Sequence, residues 1–549
     1  MTPVFGLCED YVTRWAALDP VAAEMHGVTA AFGAGTDYGP DGVAARADLI
    51  AETLAALGPM TVTSDTDRLA AGFLSERLES QLAWYEMNEP LRMLSAPIGV
   101  ISEVRDSVEL LPRDGGDAWR NIAARLAAVP AMFASWRASL DAGLGRDLPA
   151  ARRQAVESAI AADRCAGVHD ALVASYGEGP LAAELTAAAA RAHQGYAEIA
   201  RYLREDYAPR ATEVDGVGAE RYAVAARLNL GADIDLKEAY EWGWAELRRI
   251  EAEMIAEADT IRPGASVAEA SALLNESAYV VGDDAYLAWL QGRHDRAIEQ
   301  LDGVHFDIAA PLRRIEVVLA RGSTSAAAYY TPPSEDQTRP GRTWWPLGGR
   351  DPLGRFETWS ELSTVFHEGV PGHHLQVGAA QSAGDRLSRF AKTNFVSGHG
   401  EGWALYAERL ADELGWFTEP GTRLGMLGGS ALRAARVVID LGVHLDLPLP
   451  DGSRWTFEKA SEVLRTSGRG EPHRIHAEVV RYFGWPGQAI SYKLGERGWL
   501  AAREQAMCRP GFDLKRWHTA ALSLGPIGLA DLAADLAAAL RALMERPEC

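Results

Sequence analysis

Apolar residues recur at three- and four-residue steps along most of the chain, and no other feature restricts its fold as strongly. The stretches 44–57 (AARADLIAETLAAL), 121–140 (NIAARLAAVPAMFASWRASL) and 179–207 (GPLAAELTAAAARAHQGYAEIARYLREDY) all carry this period. It lays an apolar stripe along one side of an α-helix. Breaks at Gly115-Gly116, Gly177 and Gly179-Pro180 divide the stretches, as expected of packed antiparallel helices. Residues 1–210 therefore read as an N-terminal helical lobe. After Pro209 the texture changes to a short helix, a loop and a long helix capped near Asp235. Between 305 and 347, β-branched and aromatic residues surround a Pro/Ser/Asp/Gly cluster (HFDIAAPLRRIEVVLA, then AAAYYTPPSEDQTRPGRTWWPL) and predict the few strands. Helices resume from about Thr358. The expectation is a mainly α chain. Its second helical lobe, 211–549, holds a small sheet and continues from the first lobe as one unit.

Charge narrows the partners. The 549 residues carry a formal net charge of −22, which repels nucleic acid and anionic membrane. No apolar run reaches about 18 residues, so no transmembrane helix is expected. The opening MTPVFGLCEDYVTRW has no basic start and no unbroken apolar core, so no secretory signal is expected either. Cys8, Cys165, Cys508 and Cys549 lie far apart without a CxxC pair, which reads as reduced thiols in a cytoplasmic protein.

Chemistry concentrates in one window. Of 13 histidines, seven fall between residues 367 and 476: His367, His373, His374, His399, His444, His473 and His476. Within it, TVFHEGVPGHHLQ (364–376) sets His-Glu ahead of His-His. A zinc-peptidase helix places two His ligands four residues apart, with a Glu base beside the first. Here the gaps from His367 are six residues to His373 and seven to His374. Six residues of ideal helix turn about 600°, and seven rise about 10 Å. Neither pair could share one ion on a straight helix, because zinc–nitrogen bonds are about 2 Å. Pro371 and Gly372 resolve this. Pro lacks an N–H and clashes with the carbonyl four residues back, here that of His367, while Gly permits unusual dihedrals. The pattern reads as HExxH with two residues expelled in a bulge. The competing reading is a Pro-broken helix carrying inert histidines.

Two later segments complete the pattern. In GHGEGWALYAERLADELG (398–415), Glu401 lies 28 residues after His373, and Glu408 lies seven beyond Glu401 on the same helical face. Zinc peptidases of the glutamate-ligand class take their third ligand from a following helix at about this distance. Gly400 and Gly402 flank Glu401 and allow close backbone approach. In HRIHAEVVRYFGWPGQAISYKLGE (473–496), His476, Glu478, Arg481, Tyr482, Gln488 and Tyr492 gather around a Pro-Gly turn. A Tyr hydroxyl there suits an oxyanion, and Arg or Gln suits a substrate carboxylate or backbone.

These segments resemble the bacterial domain-of-unknown-function family 885. The likeness lies in HExxPGHHxQ at His367–Gln376, EGWAxYxE at Glu401–Glu408, RAARxVxDxGxH at Arg433–His444 and RYxxxPGQAxSY at Arg481–Tyr492. Those motifs in turn resemble glutamate-ligand zinc peptidases. That resemblance implies a two-lobed, zincin-like helical fold of the oligopeptidase kind, with a deep channel and a small sheet beside the active-site helix. It implies Zn²⁺ held by His367, His373 and Glu401, with His373 preferred to His374 because a Gly precedes it. It implies Glu368 as base and Tyr492 as oxyanion donor. Arg481, Tyr482, Gln488 and His476 would contact substrate, and His374, Glu408, Asp440 and His444 would support the ligands. The expected activity is zinc-dependent hydrolysis of amide bonds in peptides or small peptide-like molecules. A metal-dependent tailoring hydrolase or lyase and an inert helical scaffold are the alternatives.

Overall fold

The computed structural model describes residues 2–28, 33–114, 117–320, 327–333, 339–347, 353–467 and 472–544. The Gly115-Gly116 break, residues 334–338 of the turn cluster, and Cys549 lie outside them. Helices make up most of the described chain. The three stretches with the clearest period lie in Pro40–Leu57, Ala118–Gly145 and Ala182–Arg201, the last running on into a π-helical turn at Tyr202–Tyr207. The helix Leu236–Ile261 begins at Asp235, whose side chain accepts from the N–H groups of Lys237 and Glu238, two donors a helix start otherwise leaves unpaired.

Among the described residues, five short strands form two small sheets. β1 (Tyr279–Val281) pairs antiparallel with β5 (Arg355–Glu357). β4 (Gly341–Pro346) lies between β2 (Ile315–Ala320), to which it is parallel, and β3 (Tyr329–Thr331), to which it is antiparallel. The three-stranded sheet thus occupies the predicted stretch. No helix among the described residues is long and apolar enough to cross a membrane.

The apolar interior is divided among several clusters. One is drawn wholly from residues 21–208, including Trp136, Phe133 and Tyr196. A second unites Cys8, Leu74 and Leu78 with Phe390 and Val396, so the first eighty residues also pack against the chain around the histidine-rich window. A third joins Leu247, Val437, Val479 and Tyr482. A fourth joins Phe366, Trp403, Trp499 and Trp517. The boundary near 210 is therefore not a division between two separate cores.

Two local features position the site. The helix Leu362–Glu368 stops, and a new one starts at His373. Across the break, the Gly372 N–H donates to the Phe366 carbonyl, six residues back, at 3.0 Å. A helix uses four, so the difference is the expelled pair. A Cβ on Gly372 would collide with the carbonyls of Phe366 and His367, which is why this position takes glycine. The second feature is a crossing of the helices Ser397–Glu413 and Ser491–Met507. At that crossing Gly402 meets the backbone of Gly495, and a Cβ on either would strike the other helix. The contact sets Glu401 and Tyr492, one and three residues away, on neighbouring stretches of two helices.

Candidate metal centre

The bulge turns His373 back toward His367. Their rings stand 5.0 Å apart at 88°. Glu401 reaches between them, its Oε2 lying 3.3 Å from His367 Nε2 and 3.6 Å from His373 Nε2. One ligand atom from each of the three residues lies within 4.8 Å of the others. All three side chains are largely buried, the most exposed at 15%.

Hydrogen bonding decides what this cluster can hold. His367 Nδ1 is 2.8 Å from Glu408 Oε1, and a carboxylate can only accept. The neutral ring therefore carries its proton on Nδ1 and directs the Nε2 lone pair at Glu401. Glu401 Oε2 and His373 Nδ1 are buried and have no hydrogen-bond partner. Converging acceptors need either a proton or a cation between them. Burial and Arg433 oppose a proton on His367, but Glu401 and Glu408 outweigh them and hold its pKa up at about 9. Burial would raise Glu401, yet His367 and His373 keep it well below the usual carboxylate range. Two imidazoles and a carboxylate are a donor set suited to zinc, so these residues fit the metal the sequence implies.

Glu368 ends the helix that carries His367. It is buried, and burial raises its pKa against the pull of His367, His373 and Arg433. Tyr492 is held from one side. The Arg436 guanidinium lies 4.7 Å and that of Arg433 5.7 Å from its ring centre. Glu401 is among the charges acting on the Tyr492 hydroxyl, whose pKa burial raises.

Of the four supporting candidates, Glu408 alone hydrogen-bonds a proposed ligand. Its other oxygen accepts from Ser363, and Arg433 Nη2 lies 3.7 Å away. Ser363 escaped the sequence reading, although it precedes His367 by one turn on the same face. His374 points away from the cluster. Its Nε2–H donates to the Leu312 carbonyl at 2.9 Å and its Nδ1 accepts from the Tyr330 hydroxyl at 3.0 Å. Both nitrogens are spent on fastening the helix to the sheet region, and burial lowers its pKa to about 4. Asp440 and His444 also lie elsewhere. Asp440 Oδ2 accepts from the Tyr222 hydroxyl at 2.6 Å and the Gly487 N–H at 2.9 Å, and His444 Nε2–H donates to the Tyr482 carbonyl at 2.9 Å. They anchor the Pro486-Gly487 turn rather than the ligands.

The proposed substrate contacts also divide. His476 is half-exposed and pairs with Glu157 at 3.0 Å, joining the helix Pro472–Gly484 to residues of the first 210, away from the cluster. Arg481, Tyr482 and Gln488 are buried. Arg481 Nη1 donates to Gln488 Oε1 at 2.6 Å, and both Arg481 and the Tyr482 hydroxyl donate to Glu478. Arg433 and Arg436 are the residues the sequence left unassigned, for the side chains they meet, Glu408, Glu478, Tyr482 and Tyr492, lie on other helices.

Because Glu408 both orients His367 and makes it more basic, Glu408→Gln should weaken zinc binding by about 10- to 100-fold. Competition against a chelator of known affinity measures this, and unchanged affinity would remove Glu408 from that role.

Among curated proteins no relative matches the chain. Two solved structures share its fold. One, described as the "putative lipoprotein" from Colwellia psychrerythraea, is 19% identical, with 98% of this chain and 99% of that one covered and a TM-score of 0.85. The other, a "putative lipoprotein of unknown function" from Shewanella oneidensis, is 17% identical over 100% of both chains, with a TM-score of 0.75. At such identity the likeness is one of fold. A family described as bacterial protein of unknown function (DUF885) matches residues 20–536, and the chain belongs to that family.

Proposed function

We propose that the chain is a zinc-dependent hydrolase of amide bonds in peptides or small peptide-like molecules. The observation that carries this reading is the Glu401 carboxylate oxygen, buried without a donor and faced by two imidazole nitrogens. His367, His373 and Glu401 would hold the ion. When bound, zinc supplies a Lewis acid that polarises a carbonyl and lowers the pKa of water. Glu368 takes the water proton and passes it to the leaving nitrogen, and its raised pKa brings it nearer the range useful to a base that must then act as an acid. Tyr492 donates its hydroxyl to the oxyanion. The broken ligand helix, the following glutamate helix and the small sheet nearby support reading the fold as two-lobed and zincin-like, with substrate entering a restricted channel. Zinc content of the purified protein, measured together with turnover on a mixed peptide pool, tests the proposal. Zinc-loaded protein that leaves every peptide intact would reject it, and protein that takes up no metal would return the chain to the scaffold reading.

The role of Tyr492 has its own test. An oxyanion is more charged than the carbonyl it forms from, so the hydroxyl contributes mainly at the transition state. Tyr492→Phe should lower kcat about 100-fold, or roughly 2.7 kcal/mol, with KM within a few-fold. A lowered melting temperature with unchanged kcat would instead mark Tyr492 as a packing residue.

A further inference from the structure

Around Tyr492 three arginines have a single hydrogen-bonded carboxylate between them. Arg436 donates from Nε to the Tyr482 hydroxyl at 2.8 Å and from Nη2 to Glu478 Oε2 at 3.0 Å. Arg481 donates to the same Glu478 oxygen at 2.9 Å. Two arginines, each residue 8% exposed, thus share one carboxylate. Their other partners, Tyr482 and Gln488, are neutral. Arg433 stands one turn before Arg436 on the helix Thr422–His444. Its neighbouring carboxylate is Glu408, at 3.7 Å, which already accepts from His367 and Ser363. Arg433 Nη1 donates to the Gly429 carbonyl at 3.2 Å, while its Nε is buried with no hydrogen-bond partner. Asp440 is engaged with Tyr222 and Gly487.

Glu401 and Glu368 also act on this region, but the hydrolase reading commits them to the ion and the water. Buried guanidinium groups short of hydrogen-bonded anions are costly, and a planar guanidinium matches a carboxylate in both charge and shape. These three are not placed at random. Arg433 and Arg436 both lie against the Tyr492 ring, beside the hydroxyl that would meet the attacked carbonyl. Arg433 also touches the Glu408 that steadies His367. We infer that Arg433, Arg436 and Arg481 form a carboxylate subsite, so that the substrate presents a carboxylate close to the bond that is cleaved. This deepens the hydrolase reading and rests on it. A chain advances at most about 3.6 Å per residue, so the carboxylate falls within roughly one or two residues of that bond. Free peptide C-termini and acidic side chains are its two sources.

Binding without turnover separates this inference from the hydrolase reading. The probe is N-acetyl-Gly-Phe as free acid and as C-terminal amide, with N-acetyl-Gly-Asp amide supplying a side-chain carboxylate alone. Each is titrated calorimetrically into the zinc-loaded Glu368→Gln protein. The acid should bind about 10-fold or more tighter than its amide, the scale of one or two charge-assisted hydrogen bonds. Adding Arg436→Gln should bring acid and amide within about threefold of each other, and Arg436→Lys should restore part of the preference. Tight binding of the Asp amide would assign the subsite to side chains, and weak binding would assign it to C-termini. Acid and amide binding within about twofold in the Glu368→Gln protein overturns the inference, as does absence of binding by all three. That comparison needs no arginine variant to fold. Equal binding with hydrolysis by the native protein would keep the hydrolase and reject the subsite. An acid preference without hydrolysis would keep the subsite and reject the hydrolase.

Discussion

Replacing His367 or Glu401 by Ala should cut bound zinc from about one ion per chain to less than roughly a tenth of that, because three protein ligands are the usual catalytic set and two hold the ion poorly. The expectation follows from the geometry of the lone pairs. Glu408 holds the proton of His367 on Nδ1, leaving Nε2 to face Glu401 at 3.3 Å. Removing either group removes a third of the ligands and the reason for the other's orientation. The helices should persist, since the aromatic interior around Trp403 and Trp499, which hydrogen-bonds the carbonyls of Pro371 and His399 beside the site, and the cluster around Phe133 and Trp136 both stay intact. Metal analysis and far-ultraviolet circular dichroism on the same samples check both halves. Full zinc content in both variants would discard this ligand set. Zinc at a thousandfold excess over Kd should also stabilise the native protein by about 4 kcal/mol, a gain that both variants lose.

Glu368→Gln should leave zinc in place and lower turnover by about 100-fold or more, or at least about 2.7 kcal/mol in the barrier. The substitution keeps the volume of a buried side chain and removes its capacity to accept a proton. Glu368 follows His367 at the end of its helix and feels His367, His373, Glu401 and Arg433. That places it against the centre without making it one of the converging three. Steady-state kinetics on a peptide cleaved by the native protein decides the matter. Near-normal turnover with full zinc would locate the proton acceptor elsewhere.

Much of this arrangement was legible in the sequence because it is local. The helix period, the strands near 315–346 and the two-residue insertion before His373 are short-range patterns with direct physical meaning. The seven-residue spacing of Glu401 and Glu408 is another. In the structure one faces the histidines and the other bonds His367 Nδ1. The roles of His374, Asp440 and His444 were not legible. Their partners are Leu312 and Tyr330, Tyr222 and Gly487, and Tyr482. All but one of those lie more than forty residues away, and a buried histidine bonded to a backbone carbonyl looks, in sequence, like a ligand. Arg433 and Arg436 were hidden for the same reason. On one helix they are ordinary charged residues, and only the neighbouring helices show that Arg436 shares Glu478 with Arg481 and that Arg433 comes no nearer than 3.7 Å to Glu408.

The contact of Gly402 with Gly495 divides the protein's tolerance of change unevenly. Glu401 and Tyr492 are brought together by two backbones that touch because side chains are missing. Trp499 adds a bond across the same crossing, its Nε1–H donating to the His399 carbonyl at 2.9 Å. Farther from the crossing, apolar side chains can exchange as long as volume is kept. At the crossing the freedom is reversed, since even one methyl pushes Glu401 and Tyr492 apart. Substitutions that leave a folded protein with Glu401 and Tyr492 misaligned should thus concentrate at two residues that have no side chain of their own. In a redesign of this scaffold, that pair of glycines is the hinge pin to keep while the more distant interior is changed.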